Sequence, residues 1–177
     1  IYHSSITYFP LLPLSKTASF ECKVLDIRQM PAQVLFPHWD DEFEFIYVLS
    51  GMMEFRVRQK AFLVSSGEGF FLNTGEIHSA CAYQSYDCRF VIYRICPSVL
   101  FQTEDNPLYQ KYIKPMVDHP SFGFLTFVPK VPWQKYILEM IRKMNDICDR
   151  PVDGYELKIN HFINAVSYTH LRAHETR

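Results

Sequence analysis

Residues 37–51 read Pro-His-Trp-Asp-Asp-Glu-Phe-Glu-Phe-Ile-Tyr-Val-Leu-Ser-Gly, and residues 69–78 read Gly-Phe-Phe-Leu-Asn-Thr-Gly-Glu-Ile-His. Side chains alternate between the two faces of an extended strand, so alternate polar residues of the first stretch can point in one direction. These residues are His38, Asp40, Glu42 and Glu44. Together with His78 they place imidazole and carboxylate groups in one small barrel, which predicts either a metal site or a polar ligand pocket.

The two stretches resemble the two sequence motifs of the cupin barrel. The first motif has two His separated by one residue, then a Glu and a Gly; in that order this chain has His38, Asp40, Glu44 and Gly51. The second His of the motif is therefore replaced by Asp. The second motif has a Gly, a Pro-x-Gly and a His; in that order this chain has Gly69, Thr74 or Asn73 in place of Pro, Gly75 and His78.

The residues around these motifs are more similar to the N-terminal sensor domain of AraC-type transcriptional regulators, over about residues 20 to 165. The resemblance implies that a small molecule, often a carbohydrate, binds in the barrel. It implies that helices after the barrel mediate contacts in a homodimer. It also implies that promoter DNA is bound only by a C-terminal pair of helix-turn-helix units, which is missing from this chain.

Short strands dominate residues 20 to 95. Met53, Phe55 and Val57 alternate with charged residues, a strict period of two that predicts a half-exposed strand. We expect turns at Ser50-Gly51 and at Gln59-Lys60. The pattern predicts a mainly β fold, a cupin-like antiparallel β-barrel (jelly roll) followed by C-terminal α-helices.

The spacing of apolar residues becomes helical after Pro97. It predicts a short helix over 108–117, an extended segment over 122–128, an amphipathic helix from Pro132 to Pro151 and a further helix over 154–165. We therefore divide the chain into three regions: an N-terminal arm (1–19), a cupin-like ligand-binding barrel (20–98) and a helical dimerisation and linker region (99–165).

The last twelve residues, 166–177, read Val-Ser-Tyr-Thr-His-Leu-Arg-Ala-His-Glu-Thr-Arg. They interrupt the preceding helical pattern and match the translation of a transposase sequencing adapter. The alternative is a genuine polar tail, but a match of this length favours a non-native tail. We therefore leave His170 and His174 out of the candidate site.

Composition argues against several classes of protein. A net charge of -1 without a Lys/Arg cluster argues against direct nucleic-acid binding by this segment. No apolar run approaches the length of a membrane span, and no signal peptide is visible, although the start at Ile1 suggests a fragment. Five irregularly spaced Cys favour a reducing compartment, and we expect a cytoplasmic protein.

The candidate ligand-binding residues form a mixed aromatic and polar set: His38, Trp39, Asp40, Glu44, Arg56 and His78. Trp39 is placed to stack on a sugar ring while the polar members bind its hydroxyls. Each also has a plainer interpretation, since Trp39 could belong to the barrel core and Arg56 to a solvated strand face. We expect no resident cofactor, with a divalent metal on His38, Asp40, Glu44 and His78 as the less favoured alternative.

Two function classes remain. The favoured one is the effector-sensing and dimerisation domain of an AraC-type regulator, without enzyme activity. The alternative is a stand-alone, metal-dependent cupin enzyme, an isomerase or dioxygenase, in which the bound metal polarises the substrate or activates oxygen. A third option is a sugar-binding or structural cupin with neither role.

Overall fold

The computed structural model describes residues 20–84, 87–97, 105–118 and 122–149, together with Leu157, His161, Phe162, Asn164, Ala165 and Tyr168. These residues form eight strands: β1 (Phe20–Asp26), β2 (Val34–His38), β3 (Phe43–Val57), β4 (Lys60–Ser65), β5 (Gly69–Leu72), β6 (His78–Ala82), β7 (Cys88–Ile95) and β8 (Phe124–Phe127). Two short 3-10 turns follow β1. A π-helical turn (Tyr109–Ile113) continues into α1 (Lys114–Val117), and α2 spans Pro132–Asp149.

Antiparallel pairing arranges the strands in two sheets that share β3. The first half of β3 lies between β7 and β5, in the order β1-β7-β3-β5-β8. The second half lies between β4 and β6, and β2 pairs with β6. This architecture confirms the predicted cupin-like antiparallel barrel with helices after it.

The turn expected at Ser50-Gly51 is a bulge inside β3, so that expectation was wrong. The register between β3 and β7 shifts between Val48 and Ser50, and the strand continues into the second sheet. Gly51 has a φ of 81°, and a Cβ atom there would lie 1.5 Å from the carbonyl oxygen of Asp87. Glycine satisfies both the backbone conformation and the close approach of β7.

The bulge changes which residues of β3 face the barrel interior. Before it, Ile46 and Val48 are in the interior core; after it, Met53 and Phe55 are, so the inward positions change from even to odd numbers. One extra residue in a strand has this effect because side chains alternate with a period of two. The predicted alternation of Met53, Phe55 and Val57 is confirmed, since all three are buried.

Two hydrophobic cores result. The interior core fills the barrel between its sheets and contains residues such as Ile46, Phe55 and Phe70. The outer core lies between the β1-β7-β3-β5-β8 sheet and the helices, and it contains Phe45 of β3 and Ile141 of α2. The first half of β3 is therefore buried on both faces, as in sheets covered by helices.

The amphipathic helix predicted from Pro132 is α2. Its buried side chains are Ile137, Leu138, Ile141 and Met144, the spacing of one helical face. The predicted helix over 108–117 is also present, with Pro115 inside α1. Most of the helix expected over 154–165 lies outside the described residues, but Leu157, His161, Phe162, Asn164 and Ala165 are helical and Phe162 is buried.

The structure corrects two boundaries predicted from the sequence, and two predicted segments lie largely outside the described residues. The barrel extends past residue 98, because β8 pairs with β5 and completes its sheet. The turn between β3 and β4 is Arg58-Gln59, one residue earlier than expected, because Val57 pairs with Lys60. The predicted arm (1–19) and the tail (166–177), apart from the helical Tyr168, lie outside the described residues. In the part that the structure does describe, no helix combines the length and hydropathy needed to span a membrane.

Candidate ligand and metal site at one end of the barrel

The candidate site is assembled from the ends of three strands. His38 ends β2, Glu44 is the second residue of β3 and His78 begins β6. The pairing of β2 with β6 sets His38 opposite His78, with ring centroids 4.2 Å apart. Glu44 faces the barrel interior because Phe43 and Phe45, on either side of it, belong to the outer core.

Asp40 joins this cluster from the loop between β2 and β3. Its backbone carbonyl accepts a hydrogen bond from the N–H of Gly75, at 2.8 Å. One ligand-type atom from each of His38, Asp40, Glu44 and His78 lies within 4.8 Å of the others. Glu42 does not belong to this group, because the segment 39–42 leaves the extended conformation on which its predicted alternation depended.

Both imidazole rings are oriented by the backbone. Nδ1 of His38 lies 2.7 Å from the carbonyl oxygen of Phe36, and Nδ1 of His78 lies 2.8 Å from that of Glu76. A carbonyl only accepts, so each Nδ1 donates, which leaves Nε2 to face the carboxylates. Nε2 of His38 is 3.6 Å from Asp40 Oδ2, and Nε2 of His78 is 3.1 Å from Glu44 Oε2.

The buried groups of the site are incompletely satisfied. Asp40 Oδ2, Glu44 Oε2 and His78 Nε2 are buried without a hydrogen-bond partner among the described residues. The 3.1 Å contact between Glu44 and His78 is thus an ion-pair contact rather than an aligned hydrogen bond. Buried polar atoms are nearly always paired in proteins, so unpaired ones at the end of a barrel indicate a place for a ligand.

Electrostatics favour a positive charge next to Glu44. Burial alone lowers the pKa of His78, but the Glu44 carboxylate, the Glu76 carbonyl and Asp40 together outweigh it. The net result is a pKa of His78 above its ordinary value. Phe55, a member of the interior core, stacks on the His78 ring at 5.6 Å between centroids.

Arg94 is a site residue that the sequence reasoning missed. It pairs with Glu44 in the β3–β7 register, and its guanidinium contacts Asp40 Oδ1 at 3.2 Å and Glu21 Oε2 at 2.5 Å. It therefore supplies the positive partner of Asp40. The sequence offered one signal: Arg94 lies two residues after Ile92, so the two side chains share a face of the strand. Ile92 is in the interior core.

Two buried residues of the second motif hold structural roles that the sequence did not predict. Asn73 is 5% exposed, and its side-chain amide donates to the carbonyls of Met116 and Phe122. Glu76 is 6% exposed and forms a short ion pair with Arg58. Polar residues beside a glycine in a short loop are the sequence signal for such roles. The partners of Asn73 are more than forty residues away, and the partner of Glu76 lies in the turn between β3 and β4.

The two remaining predicted ligand-binding residues, Trp39 and Arg56, lie in different places relative to the candidate site. Trp39 follows His38 and is 57% exposed, beside the site rather than in the core. Arg56 points away from the barrel interior, between the buried Phe55 and Val57, and its guanidinium pairs with Glu54 at 2.6 Å. Arg56 is therefore removed from the candidate pocket, because the period-two alternation that buries Phe55 places Arg56 outside.

Comparison with known proteins assigns the family. Residues 23–150 match the family model described as the AraC-like ligand binding domain. The chain belongs to this family. The regulator resemblance predicted from the two motifs is confirmed.

Two relatives give the context of this domain. The chain is 28% identical over 122 residues to the uncharacterized HTH-type transcriptional regulator YdeC of Bacillus subtilis strain 168, a match that covers 69% of the chain and 41% of that protein. It superposes on ToxT of Vibrio cholerae with a TM-score of 0.56 and 10% identity, covering 84% of the chain and 54% of ToxT. The chain thus spans about half or less of the length of these two proteins.

Part of the chain is also similar to a polyketide cyclase. The polyketide cyclase RemF of Streptomyces resistomycificus matches with a TM-score of 0.39 and 26% identity, over 44% of the chain and 54% of RemF.

Proposed function

We propose that this AraC-like domain binds a small, neutral, hydroxyl-rich effector, a carbohydrate, at the His38–Asp40–Glu44–His78 cluster. The observation that carries the proposal is a pair of buried carboxylate oxygens at the barrel end, Asp40 Oδ2 and Glu44 Oε2, that face the site histidines but accept no hydrogen bond among the described residues. Ligand hydroxyls would donate to these oxygens, whereas a ligand carboxylate or phosphate would be repelled by them.

Exposed apolar side chains next to the cluster suit the other face of such a ligand. Trp39 and Ile77 are each 57% exposed and adjoin the two site histidines in sequence. Phe36, whose carbonyl orients His38, is 59% exposed. A sugar presents a polar edge and an apolar face. The carboxylates suit the polar edge, and these exposed apolar side chains suit the apolar face.

The proposed consequence of binding follows from the family. The effector would favour one arrangement of this domain over another, and a helix-turn-helix domain elsewhere in the whole protein would respond on promoter DNA. The helices after the barrel would mediate a homodimer, and the protein would act in the cytoplasm without enzyme activity.

Binding of a panel of neutral sugars, amino sugars and sugar acids, followed by calorimetry, tests this proposal. We expect a neutral sugar to bind, Glu44→Gln to weaken it about tenfold or more through loss of one charged acceptor, and Arg56→Gln to leave it unchanged. Preferential binding of sugar acids, or equal loss in Arg56→Gln, would contradict it.

A divalent metal is the second candidate ligand, favoured by the orientation of the two histidines. Donation of Nδ1–H to a carbonyl is the usual support of a metal-binding imidazole. The donor atoms lie within 4.8 Å of one another, whereas two bonds of about 2.1 Å to one ion span at most about 4.2 Å, so the side chains would move slightly inward around a metal. His38, Asp40, Glu44 and His78 therefore fit a metal that prefers mixed nitrogen and oxygen ligands, and such a metal would act as a Lewis acid.

Metal content decides between the two candidates. The protein is equilibrated with Mn²⁺, Ni²⁺ or Zn²⁺, freed of excess metal and measured by mass spectrometry. Bound metal in the unchanged protein and in His161→Ala, which removes an exposed histidine away from the site, but not in His78→Ala, would support a metal centre. Equal metal in both variants would remove these residues as ligands.

A further inference from the structure

We infer that the loop from Asn73 to His78, here called the junction loop, transmits a change at the candidate site to the segment that joins α1 to β8, and that Asn73 is the positioning residue of this connection. The inference goes beyond the identity of the effector, since it concerns how any occupant of the site would affect the helices.

On one side, the junction loop is bonded to the site at two places. Gly75 N–H donates to the carbonyl of Asp40 at 2.8 Å, which holds the loop that carries the Asp40 carboxylate. His78 Nδ1 donates to the carbonyl of Glu76 at 2.8 Å, which sets the orientation of the imidazole. A displacement of either site residue therefore acts on the backbone of the junction loop.

On the other side, Asn73 joins the loop to the helical region. Its side-chain amide donates to the carbonyls of Met116, in α1, and Phe122, before β8, at 2.7 and 2.8 Å. Its backbone N–H donates to the carbonyl of Gly123 at 2.8 Å, and its Oδ1 accepts from Thr74 N–H. Both amide hydrogens of Asn73 are used, so a shift of the loop would break or distort two buried hydrogen bonds.

Steric contact reinforces this connection. A Cβ atom on Gly123 would lie 2.7 Å from Cδ of Glu76, so the Glu76 carboxyl rests against bare backbone. The guanidinium of Arg58 forms an ion pair with the Glu76 carboxylate. The backbone N–H of Arg58 donates to the carbonyl of Ile77 at 3.0 Å. The junction loop is therefore clamped between the β3–β4 turn and the segment before β8.

The far end of the connection belongs to the outer core. Met116 and Phe122 are buried there with Ile137 and Ile141 of α2, and Phe122 stacks on Phe71 at 5.5 Å between centroids. Close-packed groups of this kind pass on a displacement rather than absorb it. A shift of the junction loop would thus alter how α1, β8 and α2 are held on the barrel.

Hydrogen exchange measured by mass spectrometry tests the connection without a ligand. Asp40→Asn removes the site charge with little change of shape, and peptides covering 112–127 report the far end. We expect Asp40→Asn to change their exchange rates by about threefold or more, the lower range of coupling within one hydrogen-bond network. In an Asn73→Ala background the same substitution should leave these peptides unchanged.

The non-additivity separates a positioning role from general loosening, because a merely structural Asn73 would let Asp40→Asn act equally in both backgrounds. Unchanged exchange at 112–127 in Asp40→Asn, or an undiminished effect in Asn73→Ala, would overturn the inference.

A reciprocal measurement covers the case in which Asn73→Ala does not fold. Gly123→Ala introduces a methyl group against Glu76, and the NMR signals of the His78 ring report the site. We expect these signals to move in Gly123→Ala and to stay in place in Gly67→Ala, whose Cβ would meet nothing within 4 Å. His78 signals that are the same in Gly123→Ala and in the unchanged protein would overturn the inference independently.

Discussion

Nε2 of His78 lies 3.1 Å from Oε2 of Glu44, with 2% and 3% of the two side chains exposed. An imidazole and a carboxylate are thus buried together at the polar end of an otherwise apolar barrel interior. The pair is stabilising only while His78 carries its proton, because a neutral imidazole leaves the buried carboxylate without a counter-charge.

The first prediction concerns the pH dependence of stability. The pKa of His78 is raised in the folded state, so its contribution is fully present below the unfolded value of about 6.5 and is lost as the pH rises through the folded-state pKa. Urea unfolding from pH 6 to 9 should show the unchanged protein losing its advantage over Glu44→Gln. Parallel pH profiles of the two proteins would show that this pair does not control the dependence.

The second prediction concerns the bulge in β3. Gly51→Ala should destabilise the fold by about 3 kcal/mol or more, since it combines a positive φ with a clash against the Asp87 carbonyl. Gly67→Ala is the matched control: its φ is +84°, but a Cβ there meets nothing, so about 1–2 kcal/mol of backbone strain is expected. Denaturant unfolding measures both, and equal losses would mean that contact with β7 contributes nothing.

The third prediction concerns Arg94. Arg94→Gln removes the partner of Asp40 and Glu21 at a position that is 26% exposed, and should cost about 1–2 kcal/mol, between the values for exposed and buried pairs. Arg56→Gln breaks a pair that is 61% exposed on its arginine side and should cost clearly less than Arg94→Gln. The same unfolding measurements compare the two, and a larger loss in Arg56→Gln would contradict the assignment of Arg94 to the site.

The fourth prediction concerns thiol reactivity. Cys88 is fully buried, and burial together with the nearby Asp26 raises the pKa of its thiol to about 12. Under native conditions at pH 8, iodoacetamide should therefore modify the half-buried Cys81 well before Cys88, as followed by peptide mass spectrometry. Denaturation should make the two rates similar. Fast native labelling of Cys88 would indicate local opening of β7.

The sequence predicted much of the candidate site because its members carry rare chemistry at short spacing. His38, Asp40, Glu44 and His78 were identified without coordinates, and the structure places them together. Arg56 was included in the site although the alternation of Met53, Phe55 and Val57 with charged residues already indicated a solvated face for it, and the structure places it on that face. Arg94 and Asn73 were missed because their partners lie on distant strands and helices.

The sequence by itself determined the strand and helix periods, the mainly β fold and the family, because alternation, helical spacing and the two motifs are local properties of the chain. Only the tertiary structure decided that β3 passes through Gly51 as a bulge, that Glu44 faces His78, and that Asn73 connects the site to the segment before β8. These depend on register and on contacts between residues far apart in sequence. A one-residue shift in a strand reverses its faces, and no local pattern records it.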